Sequence, residues 1–272
     1  MTTALPGGAT AQAPVTHSPT MWRSTKAVAW RGILRTLRFP AIIIQSFFFP
    51  GFFFVVYVGL YRAVTDLPGF PTDSVANWYL PFMLLQAAAF GGTGAGFATA
   101  VDIDNGFFDR LLLAPGRRMA ILFGTVGLAL VRTYVVAGCV FLLGLAFGAR
   151  PTDVLGLPLL FLAVTTVSIM GSCFSLGLIY TVKDQRIAPL FSIGIFMVLF
   201  VSTAQVPLDL TTGWLTTTAR WNPMTQILEL ARTGFVDGGV TWAETWPGLV
   251  AVVLGVALFG GLAARALHRF ID

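Results

Sequence analysis

Charge is scarce in this 272-residue chain. Asp, Glu, Lys and Arg make up 11% of it, against 56% apolar residues and a mean hydropathy of +0.80. A soluble domain carries roughly a quarter charged residues, so lipid is the solvent this composition fits. Histidine is nearly absent: only His17 and His268 occur, near opposite ends. An intramembrane metalloprotease would lack ligands, and a buried Ser/His pair would lack a base. No Asp or Glu lies within any of the long apolar runs. That removes the paired carboxylates of an intramembrane aspartyl enzyme and the acidic sites of a proton- or sodium-coupled carrier. No Gly-rich stretch ends in Gly-Lys-Ser or Gly-Lys-Thr, so transport driven by ATP would need another polypeptide to hydrolyse it. The two cysteines, Cys139 and Cys173, sit inside apolar runs, where they act as small hydrophobes and form no disulfide or metal framework. Residues 1–20, rich in Ala, Thr and Pro, lack the basic start and apolar core of a cleaved signal and read as a disordered tail.

What remains is a set of long apolar runs. Five are free of charge, at 39–61, 74–101, 154–182, 187–208 and 245–264, and a sixth, 119–149, is broken only by Arg132. Each is long enough to cross a bilayer core. The expected fold is therefore all-α and integral to the membrane, with six transmembrane helices at about 39–61, 78–101, 119–148, 157–180, 187–206 and 246–266. Short connections leave no room for a separate soluble domain. With the N-terminus in the cytoplasm, twelve Lys and Arg near span ends lie inside, and only Arg62, Arg150, Arg220 and Arg232 lie outside. This bias predicts that both termini are cytoplasmic. It also accounts for the net charge of +5 without a nucleic-acid partner.

Local patterns add detail. Residues 21–38 mix Trp22, Trp30, Ile33, Leu34 and Leu37 with five basic residues at roughly helical spacing. The pattern favours an interfacial amphipathic helix, with a solvated basic arm as the alternative. The first span places Phe47, Phe48, Phe49, Phe52, Phe53 and Phe54 around Pro50, which predicts a kink. Those rings either line an apolar path or face lipid. In the second span, Gly92 and Gly96 form a small-xxx-small pair that predicts close helix packing. Arg132 has two readings: a charge facing a partner helix or snorkelling, or an anchor for an anionic headgroup. The residues considered for a transport path are Phe47, Phe48 and Phe52 of the first span, Gln86 and Phe90 of the second, and Arg132 of the third.

Two connecting segments carry a recognisable pattern. The loop 102–118 reads Asp102-Ile-Asp-Asn-Gly-Phe-Phe-Asp-Arg-Leu-Leu-Leu-Ala-Pro-Gly-Arg-Arg118. After the fifth span, Val206-Pro-Leu is followed by Trp221-Asn-Pro-Met-Thr-Gln-Ile-Leu-Glu-Leu-Ala-Arg-Thr-Gly234. In the latter, Asn222 can cap a helix whose first turn contains Pro223, and Glu229 and Arg232 share a face. The first segment resembles the coupling-helix loop of type-two ABC exporter permeases, the family of daunorubicin-type drug-resistance permeases and bacterial polysaccharide exporters. Acidic residues, then Gly, a Leu pair and Pro before a basic residue are matched by Asp102, Asp104, Gly106, Leu111, Leu112, Pro115 and Arg117. Asp stands where relatives often carry Glu. The second segment resembles the Pro-Leu, Asn-Pro and Arg succession that precedes the last span in related permeases.

The resemblance implies a permease subunit without catalysis or bound cofactor, located in a bacterial inner membrane and paired with a second copy or a related permease. Two copies of a separate ATP-binding subunit would hold the ATP and Mg. Phe107, Phe108, Leu111 and Leu112 would form the apolar docking face, with Asp104, Asp109 and Arg110 making polar contacts. The external segment 207–245 would supply short re-entrant helices. Cargo would be a hydrophobic or amphipathic compound, a drug or a lipid, exported from the cytoplasm or inner leaflet. A lipid-linked polysaccharide is the alternative within the family, and a non-transporting membrane scaffold the alternative outside it.

Overall fold

In lipid the backbone has no partner but itself, so long apolar runs become helices. The computed structural model describes residues 41–65, 70–113 and 119–271, with Trp22, Thr25, Lys26, Ala29, Trp30 and Gly32 before them. The helices are α1 (Ala41–Leu60), α2 (Val75–Asp104), α3 (Phe107–Leu113), α4 (Met119–Ala146), α5 (Gly156–Val182), α6 (Ala188–Phe200), α7 (Trp214–Trp221), α8 (Pro223–Arg232) and α9 (Trp242–Ile271). With three single-turn helices, these form all the regular structure among the described residues from 41 onward. Four of them, α2, α4, α5 and α9, are long and apolar enough to cross a membrane, whereas α1 and α6 contribute shorter apolar stretches. The expected tail over 1–20 and most of the expected interfacial helix lie outside the described residues, as do Pro115, Arg117 and Arg118. The described positions between 22 and 32 are helical, and Trp22 and Trp30 are exposed.

Helix α2 occupies the centre, packed by α1, α4, α5, α6 and α8. Its sequence explains why. From Ala87 to Gly96 it is built largely of Ala and Gly, so neighbouring backbones can come close, and in lipid such packing replaces the hydrophobic drive. A Cβ on Gly92 would stand 2.4 Å from the Ser168 carbonyl oxygen of α5, and one on Gly96 would stand 2.5 Å from the Ser175 Cβ. The pair therefore marks the closest approach of α2 to α5, as the sequence pattern implied. Polar bonds accompany it: the Gly96 amide donates to Ser175 Oγ at 3.2 Å, and the Thr133 and Ser168 hydroxyls bond at 2.8 Å.

The helix over the expected fifth span, 187–206, is shorter than expected. Helix α6 ends at Phe200, and residues 201–207 turn irregularly. Unpaired backbone inside a membrane protein persists only where side chains satisfy it. That condition is met here, because the carbonyls of Thr203, Ala204 and Gln205 all accept bonds from buried or half-buried side chains.

Candidate coupling and translocation sites

At one end of the bundle, α2 stops at Asp104, and Gly106 turns the chain with φ +64°, a backbone region that glycine enters at little cost. Helix α3 follows at once. Its Phe108 is buried, with its ring 5.7 Å from Tyr180 of α5 and 5.3 Å from Phe270 of α9. Lys183, just past the end of α5, lies 4.1 Å above the Phe270 ring. Leu111 and Leu112 are half-buried against the same cluster. Phe108, expected on the docking face, is turned into the bundle, where its ring secures the short helix to α5 and α9. Asp104, Asp109 and Arg110 are exposed, Gly106 and Phe107 are half-exposed, and Leu113 is 86% exposed.

At the opposite end, Asn222 caps α8: its side-chain oxygen accepts from the Met224 amide at 2.9 Å and its nitrogen donates to the Val198 carbonyl at 2.6 Å. Pro223 takes the first helical position, where its missing N–H costs nothing. Glu229 and Arg232 pair at 3.6 Å, as their spacing implied, but Arg232 is wholly buried while Glu229 is partly exposed. The guanidinium lies 3.6 Å from the centre of the Trp78 ring and donates to the carbonyls of Trp78, Thr203 and Ala204 at 3.3, 2.6 and 2.9 Å. An arginine side chain is not deprotonated in proteins, so this buried group carries its charge beside Glu229. Trp78 and Tyr79 both donate to the Gln205 carbonyl, and the Gln205 amide donates to the Tyr57 hydroxyl at 3.0 Å. One buried cation therefore ties α8 and the 203–205 segment to the start of α2. Around this end Trp214, Trp221, Trp242 and Trp246 are exposed, in keeping with a membrane–water interface.

Between the two ends, α1, α2, α4 and α6 border a half-open cavity of about 630 Å³. Phe48, Phe90 and Arg132 line it together with Ser46, Phe49, Thr93, Gly94, Phe97 and Ser192. Gly94 faces Arg132: a Cβ there would stand 3.9 Å from Nη1, in ordinary van der Waals contact. Phe47, Phe52 and Gln86 do not line this cavity. Phe47 packs toward Gly51, Phe52 is exposed and stacks on Phe48, and Gln86 is buried within α2's packing.

Neither Gln86 side-chain atom has a hydrogen-bond partner among the described residues. A buried unpaired amide costs about 1–3 kcal/mol. Gln86→Leu is therefore expected to raise the melting temperature of the purified chain; an unchanged or lower value would mean that the amide is satisfied in the native membrane complex.

Residues 23–236 match the model of the ABC-2 type transporter family. The chain belongs to that family. It is 27% identical over 82% of its length to the daunorubicin resistance ABC transporter permease protein DrrB1 of Streptomyces coeruleorubidus, covering 80% of that protein. It is also 27% identical over 74% of its length to ycf38, named as a transport permease, of Cyanophora paradoxa, covering 70% of it. With ycf38 of Pyropia yezoensis the identity is 25% over 84% of this chain and 79% of the relative. An ABC-2 permease is the membrane subunit of its transporter and is not itself catalytic.

The match to the ABC-2 family takes in α3, the cavity and the Arg232 clamp. Several residues at these places escaped sequence reasoning. Leu113 read as one more apolar residue in a Leu run, although its position at the end of α3 exposes it. Ser46, Thr93 and Ser192 were detectable as isolated hydroxyls in apolar runs, but three such residues converge on one hollow only through the packing of three helices. Trp78 gave no local sign that it would stack on Arg232, 154 positions away.

Proposed function

We propose that this chain is the permease half of an ATP-driven exporter, energised by a separate ATP-binding subunit that docks on α3. In this reading α1 and α6 complete a set of six membrane crossings. The ends of α5 and α9 near α3 face the cytoplasm, and α7 and α8 form a re-entrant hairpin in the outer leaflet. The carrying observation is the arrangement of α3 itself: a short helix displays Leu113, Asp109 and Arg110 outward while Phe108 fastens it between α5 and α9. A force applied to α3 by a partner would reach two long helices directly, which is what transmission between alternative conformations needs. Two permeases, identical or related, would face each other with two ATP-binding subunits below. The name of the Streptomyces relative and the aromatic cavity support a hydrophobic or amphipathic cargo, drug or lipid, taken from the cytoplasm or inner leaflet of a bacterial plasma membrane.

The test is affinity purification of the full chain from its native membrane in mild detergent, with mass identification of co-purifying proteins and an ATPase assay. An ATP-binding subunit is expected to accompany the chain. Its absence, under conditions that preserve other transporter complexes, would favour the membrane scaffold instead.

A further inference from the structure

The cavity has a direction. Arg132 lies 13 residues into the 28-residue α4, about 20 Å from its start at the helical rise per residue. The other lining residues of α2 run down to Val101, near the end that leads into α3, and Ser46 and Ser192 sit close to the starts of α1 and α6. The hollow thus runs from the α3 end of the bundle to mid-membrane depth and finishes at a cation.

Its chemistry is one-sided. Among the described residues the lining supplies a guanidinium, itself bonded within the protein, three hydroxyls and the rings of Phe48, Phe49, Phe90 and Phe97, and no carboxylate. A second hollow of about 420 Å³ adjoins it through Phe49, Phe90 and Ser192 and extends along Ile193, Phe196 and Met197 with almost no polar surface. A charged head and an apolar trough therefore share one wall. A cation at mid-membrane depth is costly, and an anion brought beside it reduces that cost. A guanidinium carries five N–H donors, enough to hold an oxyanion while remaining bonded within the protein. A cationic head would be repelled from the same point, and a neutral one would gain no ionic attraction there.

We propose that these joined hollows bind a single-chain anionic amphiphile from the leaflet on the α3 side, its oxyanion head at Arg132 and its chain along Phe196 and Met197. This assignment rests on the cargo reading above and narrows it to one charge class. Thr93 and Ser192 line the hollow at different depths, and the rings of Phe49 and Phe90 border both hollows.

Binding is measured with the full chain alone in phosphatidylcholine nanodiscs, without ATP or a partner, using tritiated oleoyl lysophosphatidic acid and, separately, tritiated monoolein. Saturable binding of the anionic probe is expected, stronger than that of monoolein and not displaced by millimolar inorganic phosphate. Arg132→Gln should weaken the anionic probe about ten-fold or more, the scale of a lost charge-assisted bond, and leave monoolein unchanged. Arg132→Lys should retain most of the preference. Ala98 of α2 also lines the hollow, and Ala98→Trp, which fills it, should abolish binding of both. Equal binding of the two probes to the native chain, equal losses in Arg132→Gln, or displacement by inorganic phosphate would overturn the assignment. Should Arg132→Gln fail to fold, unchanged lysophosphatidic acid binding by Ala98→Trp would do the same. Because no nucleotide is present, loss of the charge preference leaves the ATPase reading standing, and absence of an ATPase leaves the binding result standing.

Discussion

Arg232→Met is expected to cost the purified chain a large part of its stability, about 3–5 kcal/mol, the range found when one member of a buried ionic cluster is removed. The reason lies in what would be left behind. Three carbonyls, those of Trp78, Thr203 and Ala204, would lose their donor, and Glu229 would lose its counter-charge. Total stabilities are only about 5–15 kcal/mol, so the loss is a substantial fraction of the whole. Arg232→Lys should be intermediate: an ammonium keeps the charge and can reach one or two carbonyls, but it loses the planar fork and the stacking on Trp78. Melting followed by size-exclusion chromatography in detergent measures both variants. Limited proteolysis locates the damage, which should begin at residues 201–207, whose backbone depends on this cation. A Met variant that melts with the native chain and resists cleavage there would show that the hairpin is held by packing alone.

How far the sequence revealed this architecture depends on how local each cause is. Apolar runs report helix existence well, because in lipid a run has no other stable backbone state. The Gly92 and Gly96 spacing reports close packing for the same kind of local reason. The end of α6 is different. Its run stays free of charge past Val206, and the helix yields at Phe200, where the backbone of 203–205 finds partners in side chains of α2 and α8. Nothing within 187–206 announces Trp78, Tyr79 or Arg232. The capping of α8 by Asn222 was legible, being a contact between near neighbours, whereas the burial of Arg232 was not.

The candidate site divides along the same line. Residue type points to a transport path of Phe47, Phe48, Phe52, Gln86, Phe90 and Arg132, and of these the cavity gathers Phe48, Phe90 and Arg132. Consecutive phenylalanines on a helix point in different directions, about 100° apart per residue. A cluster that is dense in sequence is therefore dispersed in space. Phe54 enters the core, Phe52 faces outward, and Phe48 and Phe49 meet the hollow.

Leu113→Asp should separate docking from folding. The side chain is 86% exposed, so an aspartate there disturbs little of the bundle, and surface substitutions usually fall within about 0.5 kcal/mol. If α3 fills a groove on an ATP-binding subunit, the same leucine becomes desolvated in the complex. A carboxylate in its place should cost about 2 kcal/mol or more, roughly thirty-fold in affinity. The variant is expected to insert and melt like the native chain yet recover no ATPase on purification. Aspartate at Leu111 or Leu112 is less informative, since both pack against the Phe108 cluster and would perturb the helix itself. Phe108→Ala supplies the complementary case. It removes the ring that joins α3 to Tyr180 and Phe270, at about 3–5 kcal/mol if the space does not collapse, while leaving Leu113, Asp109 and Arg110 on the outer face. Such a chain should still capture the ATPase, but hydrolysis should no longer respond to cargo, because the helix that receives the force has lost its attachment to α5 and α9. If Leu113→Asp retains both the ATPase and transport, α3 is not the docking element, and the exposed Asp104 turn beside it becomes the surface to mutate next.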